Sequence, residues 1–284
     1  MSEAKESEAK ESAAKETGAT GIEVVVTGAV ATVTFNRPKV RNALNLAAVQ
    51  VLGETLDELT GRPGVRAIVL TGAGGTFCAG ADLADRAGSL GDAGRDAAMM
   101  GAVSRVITTL LTGPLPVVAA VRGAAAGVGA SIALASDLVV AAEDSYFLLP
   151  FTGIGLIPDG GATATVTASI GRVRALRLAL RRERFYAPEA YAAGLVAAVC
   201  APESVQETAA AWATELGAGS AAANAAVKRL INTHAFGQLG DLLDRETENQ
   251  LRLLAGPDFR EGVDAFIARR KPVFTAADAA SAAG

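Results

Sequence analysis

Between Pro116 and Asp137 the chain reads PVVAAVRGAAAGVGASIALASD, and no other stretch constrains the fold as tightly. Val117–Val121 is a short apolar run rich in β-branched residues, the pattern of a buried strand. Gly123, Gly127 and Gly129 crowd the turn that follows, and from about Val128 small residues with Ile132 and Leu134 suit a buried helix. A strand that meets a helix N-terminus through glycines leaves backbone N–H groups near Val128 pointing into open space, where negative charge is favoured. The 284 residues allow one large domain or two small ones, and a half-hydrophobic composition allows a sizeable core. A net charge of −4 gives no reason to expect nucleic acid, so a phosphate-bearing ligand would need a local basic patch.

Taken in order, residues 1–20 read as a mobile charged tail. SEAKE, SEAKE and SAAKE repeat there, with i,i+4 Glu–Lys pairs that permit transient helix but no apolar face to bury. Ile22–Thr27 and Val30–Asn36 flank Gly28 as a hairpin. Val49, Leu52, Leu56 and Leu59 recur at helical spacing, and Ala67–Thr71 is a buried strand. Residues 84–95 are small and polar and read as a mobile loop, before a helix from Met99 to Leu111. Leu138–Ala142, Tyr146–Leu149 and Leu195–Cys200 read as strands; Ala164–Ile170, Val173–Leu180 and Pro188–Ala193 read as helices. From Val205 onward the pattern is helical throughout. The expected class is α/β, with a core over 21–217 and a helical region over 218–284.

Two glycine-rich loops remain as candidates for chemistry, one around Ala79-Gly80-Ala81 and one around Gly127-Val128. The single histidine, His234, lies late in a helical stretch without a G-x-S-x-G elbow to serve, so it reads as a surface or capping residue rather than a triad member. Cys78 and Cys200 lie far apart and make neither a disulfide framework nor a zinc site, so no metal is expected and a reducing, cytoplasmic setting fits. No apolar span reaches membrane length, and no signal peptide is expected. Gly127-Val128-Gly129 lacks the third glycine of a dinucleotide fingerprint, and the Gly72 loop lacks the Lys-Ser/Thr of a P-loop. Each loop by itself reads as a tight turn. Two converging backbone N–H donors, however, make an oxyanion hole for a thioester enolate or a tetrahedral intermediate.

Five segments in order carry a resemblance: FNRPKVRNAL (35–44), GTFCAGADL (75–83), PVVAAVRGAAAGVGASIALASDLVVAA (116–142), GIGLIPDGGAT (153–163) and DFREGVDAFIARRKPVF (258–274). From about Ile22 to Phe274 the chain resembles the crotonase superfamily, the enoyl-CoA hydratases and isomerases. The resemblance implies a spiral of β-β-α units, a C-terminal trimerisation region, and homotrimers that often pair into hexamers. It implies an acyl-CoA substrate, with coenzyme A arriving as part of that substrate and no separate cofactor. The thioester oxygen would sit between the N–H groups of Ala81 and Val128. The backbone at Val40, Ala79, Gly80, Asp82 and Leu83 would line the adenine and pantetheine, beside Gly127. Arg37, Lys39 and Arg41 would meet the CoA phosphates, and Phe266 and Phe274 match aromatics that reach CoA in relatives, often across a subunit boundary.

The two hydratase glutamates fall on Ser131 and Phe151, and neither side chain exchanges a proton at neutral pH. Asp159 matches the catalytic aspartate of some isomerases and the nucleophile of aryl-CoA dehalogenases. Its plain alternative is a turn or N-cap before the helix near Thr163. In an apolar pocket its pKa should rise. Ser131 is expected to face the cavity as a small residue, and Phe151 to narrow the acyl pocket. Four activities stay open: isomerisation with Asp159 as base, hydration, dehalogenase- or hydrolase-like attack on an acyl-CoA, and acyl-CoA binding without turnover.

Overall fold

The structure, a computed structural model, describes residues 12–17 and 20–275, the first of these as backbone. An edge strand β1 (Ser12–Thr17) pairs antiparallel with β2 (Ile22–Thr27), which turns at Gly28 into β3 (Val30–Phe35). β2 and β3 form the expected hairpin. β1 stands where the repeat suggested transient helix: the outer edge of β2 offers unpaired N–H and C=O groups, and a segment with no apolar face can satisfy them there. Residues 1–11, 18 and 19 of the expected tail lie outside the described residues.

Asn45 accepts the Ala48 N–H (3.0 Å) and starts α1 (Leu46–Gly61), which buries Val49, Leu52, Leu56 and Leu59 on one face. β4 (Ala67–Gly72) runs parallel to β3. The segment read as a mobile loop instead forms α2 (Leu83–Ala87) and the first turn of α3 (Ala93–Thr112). Capping accounts for the difference. Asp82 accepts the Asp85 N–H (3.2 Å) and Asp92 the Arg95 N–H (3.0 Å), so polar residues that carry no apolar period still start two helices.

β5 (Val117–Val121) and β6 (Ala124–Ala126) lead into α4 (Val128–Leu134); β7 (Leu138–Ala142) and β8 (Tyr146–Leu148) lead to α5 (Ala162–Arg181). α5 joins the two helices expected there across a break at Gly171 (φ 77°). β9 (Phe185–Tyr186), α6 (Ala187–Ala192) and β10 (Ala198–Cys200) follow. The chain closes with α7 (Val205–Ala218), α8 (Ala221–Ala235), α9 (Leu239–Leu254) and α10 (Pro257–Ile267).

The strands form a sheet of order β1-β2-β3-β4-β5-β7-β10, parallel from β3 onward, and a small sheet β6-β8-β9. Two units, β5-β6-α4 and β7-β8-α5, place one strand in the large sheet, a short strand in the small sheet, then a helix, whereas β2-β3-α1 keeps both strands in the large sheet. Every residue of β5 is buried, because both sheet faces are covered. Val117, Ala119 and Val121 join a core with residues of α1, α3 and α4, whereas Val118 and Ala120 pack with Val205, Ala209 and Ala213 of α7. α8 is pinned to the mouth of this layer by one buried cation. Lys228 donates to Leu115 O and to Asp137 Oδ2 (both 2.8 Å), and Asp137 Oδ2 also accepts the Val117 N–H (2.8 Å).

Candidate active site

The two glycine loops meet. Gly80 has φ +100°, and a β-carbon there would stand 2.8 Å from Ala126 O and 3.6 Å from Gly127 Cα. Gly127 has φ +54° and lies as close to Gly80 from the other side. Only residues without a side chain let two backbones approach so nearly in these conformations. The flanking amides are committed: Gly127 N–H donates to Leu148 O (3.0 Å) and Asp82 N–H to Leu44 O (2.9 Å). The Ala81 and Val128 amides have no backbone acceptor among the described residues. Gly80→Ala is therefore expected to cost about 1–3 kcal/mol of stability through backbone strain and the contact with Ala126 O, read as a lower urea midpoint.

Above the loops lies a cavity of about 140 Å³. Ala79, Gly80, Ala81, Asp82, Leu83, Gly127 and Val128 line one side of it. Met99, Met100 and Val103 of α3 and Phe151, Ile154 and Leu156 make it apolar. Four carboxylates reach its walls: Asp82, Asp85, Asp96 and Asp159. Three are neutralised by guanidinium groups. Arg37 meets Asp82 at 3.0 Å, Arg95 pairs with Asp85, and Arg86 pairs with Asp96 while lying over the Phe259 ring.

Asp159 has no such partner among the described residues. It is 8 % exposed, its Oδ2 accepts the Gln250 Nε2 donor (2.7 Å), and its Oδ1 has no hydrogen-bond partner among the described residues. Burial pushes its pKa up to about 7, Gln250 opposes that rise by its hydrogen bond, and the nearby Glu246 charge adds to it. Asp159 does not cap α5. That end is held by Glu246 of α9, whose Oε2 accepts the Gly161 N–H (2.8 Å) and whose Oε1 accepts the Thr163 hydroxyl (2.5 Å). Burial raises the Glu246 pKa, against the pull of those two donors.

The remaining expected residues distribute differently. Ser131 does not line the cavity: its hydroxyl donates to Asp159 O (2.7 Å), so it braces the loop from behind. Its rotation on α4 carries it into the core, and it is fully buried. Arg37 spends its guanidinium on Asp82 and on Ala43 O (2.5 Å), which ties the 37–43 turn to the 79–83 loop. Lys39, Val40 and Arg41 are exposed on that turn, and the Arg41 carbonyl accepts the Ala79 N–H (3.0 Å). Phe266 and Phe274 are exposed outside the cavity.

The Enoyl-CoA hydratase/isomerase family model matches residues 26–277. This chain belongs to the enoyl-CoA hydratase/isomerase family. A Rhodobacter capsulatus protein named "Probable enoyl-CoA hydratase" is 39 % identical over 254 residues, 89 % of this chain and 97 % of that one. The 1,2-epoxyphenylacetyl-CoA isomerase of Escherichia coli is 36 % identical over 88 % of this chain and 96 % of its own length. A crystal structure described as an enoyl-CoA hydratase from Mycobacterium avium subsp. paratuberculosis superposes with a TM-score of 0.82 at 39 % identity, covering 90 % of this chain and 98 % of that one. The fold is thus the crotonase fold, with β-β-α units and C-terminal helices, and the family's members are enzymes named for both hydration and isomerisation.

Three wall residues of this cavity come from the C-terminal region read as an oligomerisation unit: Gln250, Leu254 and Phe259. Sequence reasoning passed over Gln250 and Glu246. The signal available was their position: Leu243, Glu246 and Gln250 share one buried face of α9, so two polar residues interrupt an apolar stripe. A polar residue kept on a buried face needs a partner, and here each has one.

Proposed function

We propose that this protein is an acyl-CoA isomerase that moves a double bond from C3–C4 into conjugation with the thioester. Asp159 takes a proton from C2 and returns it at C4. The charge that forms on the thioester oxygen meanwhile rests on the Ala81 and Val128 amides, and both residues reach the cavity without another backbone acceptor. The observation that carries this reading is Asp159 itself. It is the one cavity carboxylate, among the described residues, without a guanidinium partner; one of its oxygens is free, and its pKa lies near neutrality. An isomerase needs one such group. A hydratase needs two, and the positions that would hold them are the apolar Phe151 and Ser131, whose hydroxyl is engaged behind Asp159.

Incubation with 3-hexenoyl-CoA should give a rising conjugated-thioester absorbance. Crotonyl-CoA should lose that absorbance at least about a hundredfold more slowly, because one of the two proton-handling groups is missing. Rapid loss with crotonyl-CoA and no gain with 3-hexenoyl-CoA would instead support the hydratase name that several relatives carry. An aryl-halide thioester that releases halide would support attack by Asp159, and binding without turnover of any acyl-CoA would leave a binding protein.

The same reading includes a cytoplasmic homotrimer or dimer of trimers, with Lys39 and Arg41 toward the CoA phosphates and Phe266 and Phe274 joining the site through a neighbouring subunit. Exposed Val227, Leu230 and Ile231 on α8 support such an assembly. Light scattering at micromolar concentration should return three or six times the chain mass.

A further inference from the structure

We infer that Gln250 is a positioning residue for Asp159: it clamps Oδ2 and so fixes the carboxylate in one orientation at the cavity wall. The inference rests on the reading of Asp159 as the base. Gln250 lies 91 residues along the chain from Asp159, on α9, and is 2 % exposed. Its amide is held at both ends by one residue. Oε1 accepts the Ile157 N–H and Nε2 donates to Ile157 O, each at 3.1 Å. A flipped amide would set oxygen against oxygen and N–H against N–H, so the backbone at Ile157 dictates which end faces Asp159. The second proton of Nε2 then meets Oδ2 at 2.7 Å.

The loop that carries Asp159 is braced to match. Ser131 on α4 holds its carbonyl, and Glu246 on α9 holds the Gly161 amide. With the main chain fixed on both sides and one oxygen clamped, the remaining freedom is small, and Oδ1 is the oxygen left without a partner. Preorganisation of this kind keeps a base within reach of its proton without a conformational search. The charged groups around Asp159 are few. Glu246 repels it from α9, Asp82 is paired with Arg37, and α2 and α3 contribute the Asp85–Arg95 and Arg86–Asp96 pairs on the cavity wall. α4 presents Ser131 and α10 presents Phe259, neither of them charged. Among the described residues Gln250 is the one side chain that donates to the Asp159 carboxylate.

The test is Gln250→Met, which keeps length and helix preference and removes the amide. The ¹³C signal of the Asp159 carboxyl, assigned by its loss in Asp159→Asn, should titrate about one unit higher than in the unmodified protein. The rising limb of kcat/KM against pH should move with it, and kcat should fall about tenfold while KM changes little. Gln250→Glu keeps the shape as well, so it carries the test should the Met protein fail to fold. Its two carboxyl groups should titrate in two steps, the upper one above the unmodified value. An Asp159 titration and activity limb unchanged in either folded variant, with only stability lowered, would overturn the inference. Failure of the base assignment looks different: in the unmodified protein the activity limb would not follow the Asp159 signal, while the clamp would still be read from the carboxyl titration.

Discussion

Asp159→Asn is expected to lower kcat/KM for a 3-enoyl thioester by about 10²–10⁴, the range associated with losing a positioned general base. The substitution is nearly isosteric, and the amide oxygen can still accept from Gln250, so the loss reports chemistry rather than collapse. The same variant should be more stable than the unmodified protein, and the sign follows from linkage. Burial holds the Asp159 pKa at about 7 in the folded state against an ordinary value of 3.8. Between those values the folded state binds the proton more tightly than the unfolded chain, so stability falls as pH rises and is constant above about 7. An Asn at this position escapes that penalty. At pH 8 it should gain about 2–4 kcal/mol from a shift of roughly three units, and at pH 4 almost nothing. Urea melts at the two pH values check this, and equal stability at both would remove the buried, uncompensated carboxylate from the account. Activity of the unmodified protein should rise with pH through about 7, because only the ionised carboxylate accepts a proton.

Lys228→Met should destabilise the protein by about 3–5 kcal/mol, because it strands the largely buried Asp137 charge. Lys228 is 8 % exposed and satisfies both Leu115 O and Asp137 Oδ2. Burial lowers the Lys228 pKa and raises that of Asp137, and their mutual attraction opposes both shifts. Without the cation, Asp137 keeps only the Val117 N–H among the described residues. The loss should be smaller at pH 5 than at pH 8, since an orphaned carboxyl with a raised pKa can take a proton at the lower value. Chemical denaturation at both pH values reads the difference. An unchanged midpoint would mean that packing and the Asn232 hydrogen bond to Leu111 O (2.7 Å) hold α8 without Lys228.

Much of this fold was legible because its strongest elements announce themselves locally. Val117–Val121 is continuous, apolar and β-branched, which only a strand covered on both faces accommodates, and it is such a strand. The glycines crowded around Gly127 marked a tight turn before the helix, and Gly127 sits there with φ +54°. Asp159 was singled out through the family resemblance, which puts Ser131 and Phe151 at the hydratase positions; that it has no guanidinium partner among the described residues came only from the structure. Other features depend on contacts between residues remote in sequence. Arg37 looked available for phosphate, but its partner Asp82 lies 45 residues on. Gln250 reaches Asp159 across 91 residues, and only a buried helix face hinted at it. Ser131 was placed in the cavity because small residues fit there, whereas its hydroxyl is worth more as a donor to a buried carbonyl. Two parts of the polar run 84–95, up to Ala87 and from Ala93, became helical through aspartate caps that apolar periodicity does not register.

The central claim is that the Asp159 carboxylate removes a proton from C2 of a bound acyl thioester. Proton NMR of 3-hexenoyl-CoA in D₂O at pH 8 tests it before any product needs to form. Loss of the C2 signal is expected with the unmodified protein, and its retention with Asp159→Asn. Loss of that signal at the same rate with both proteins would contradict it.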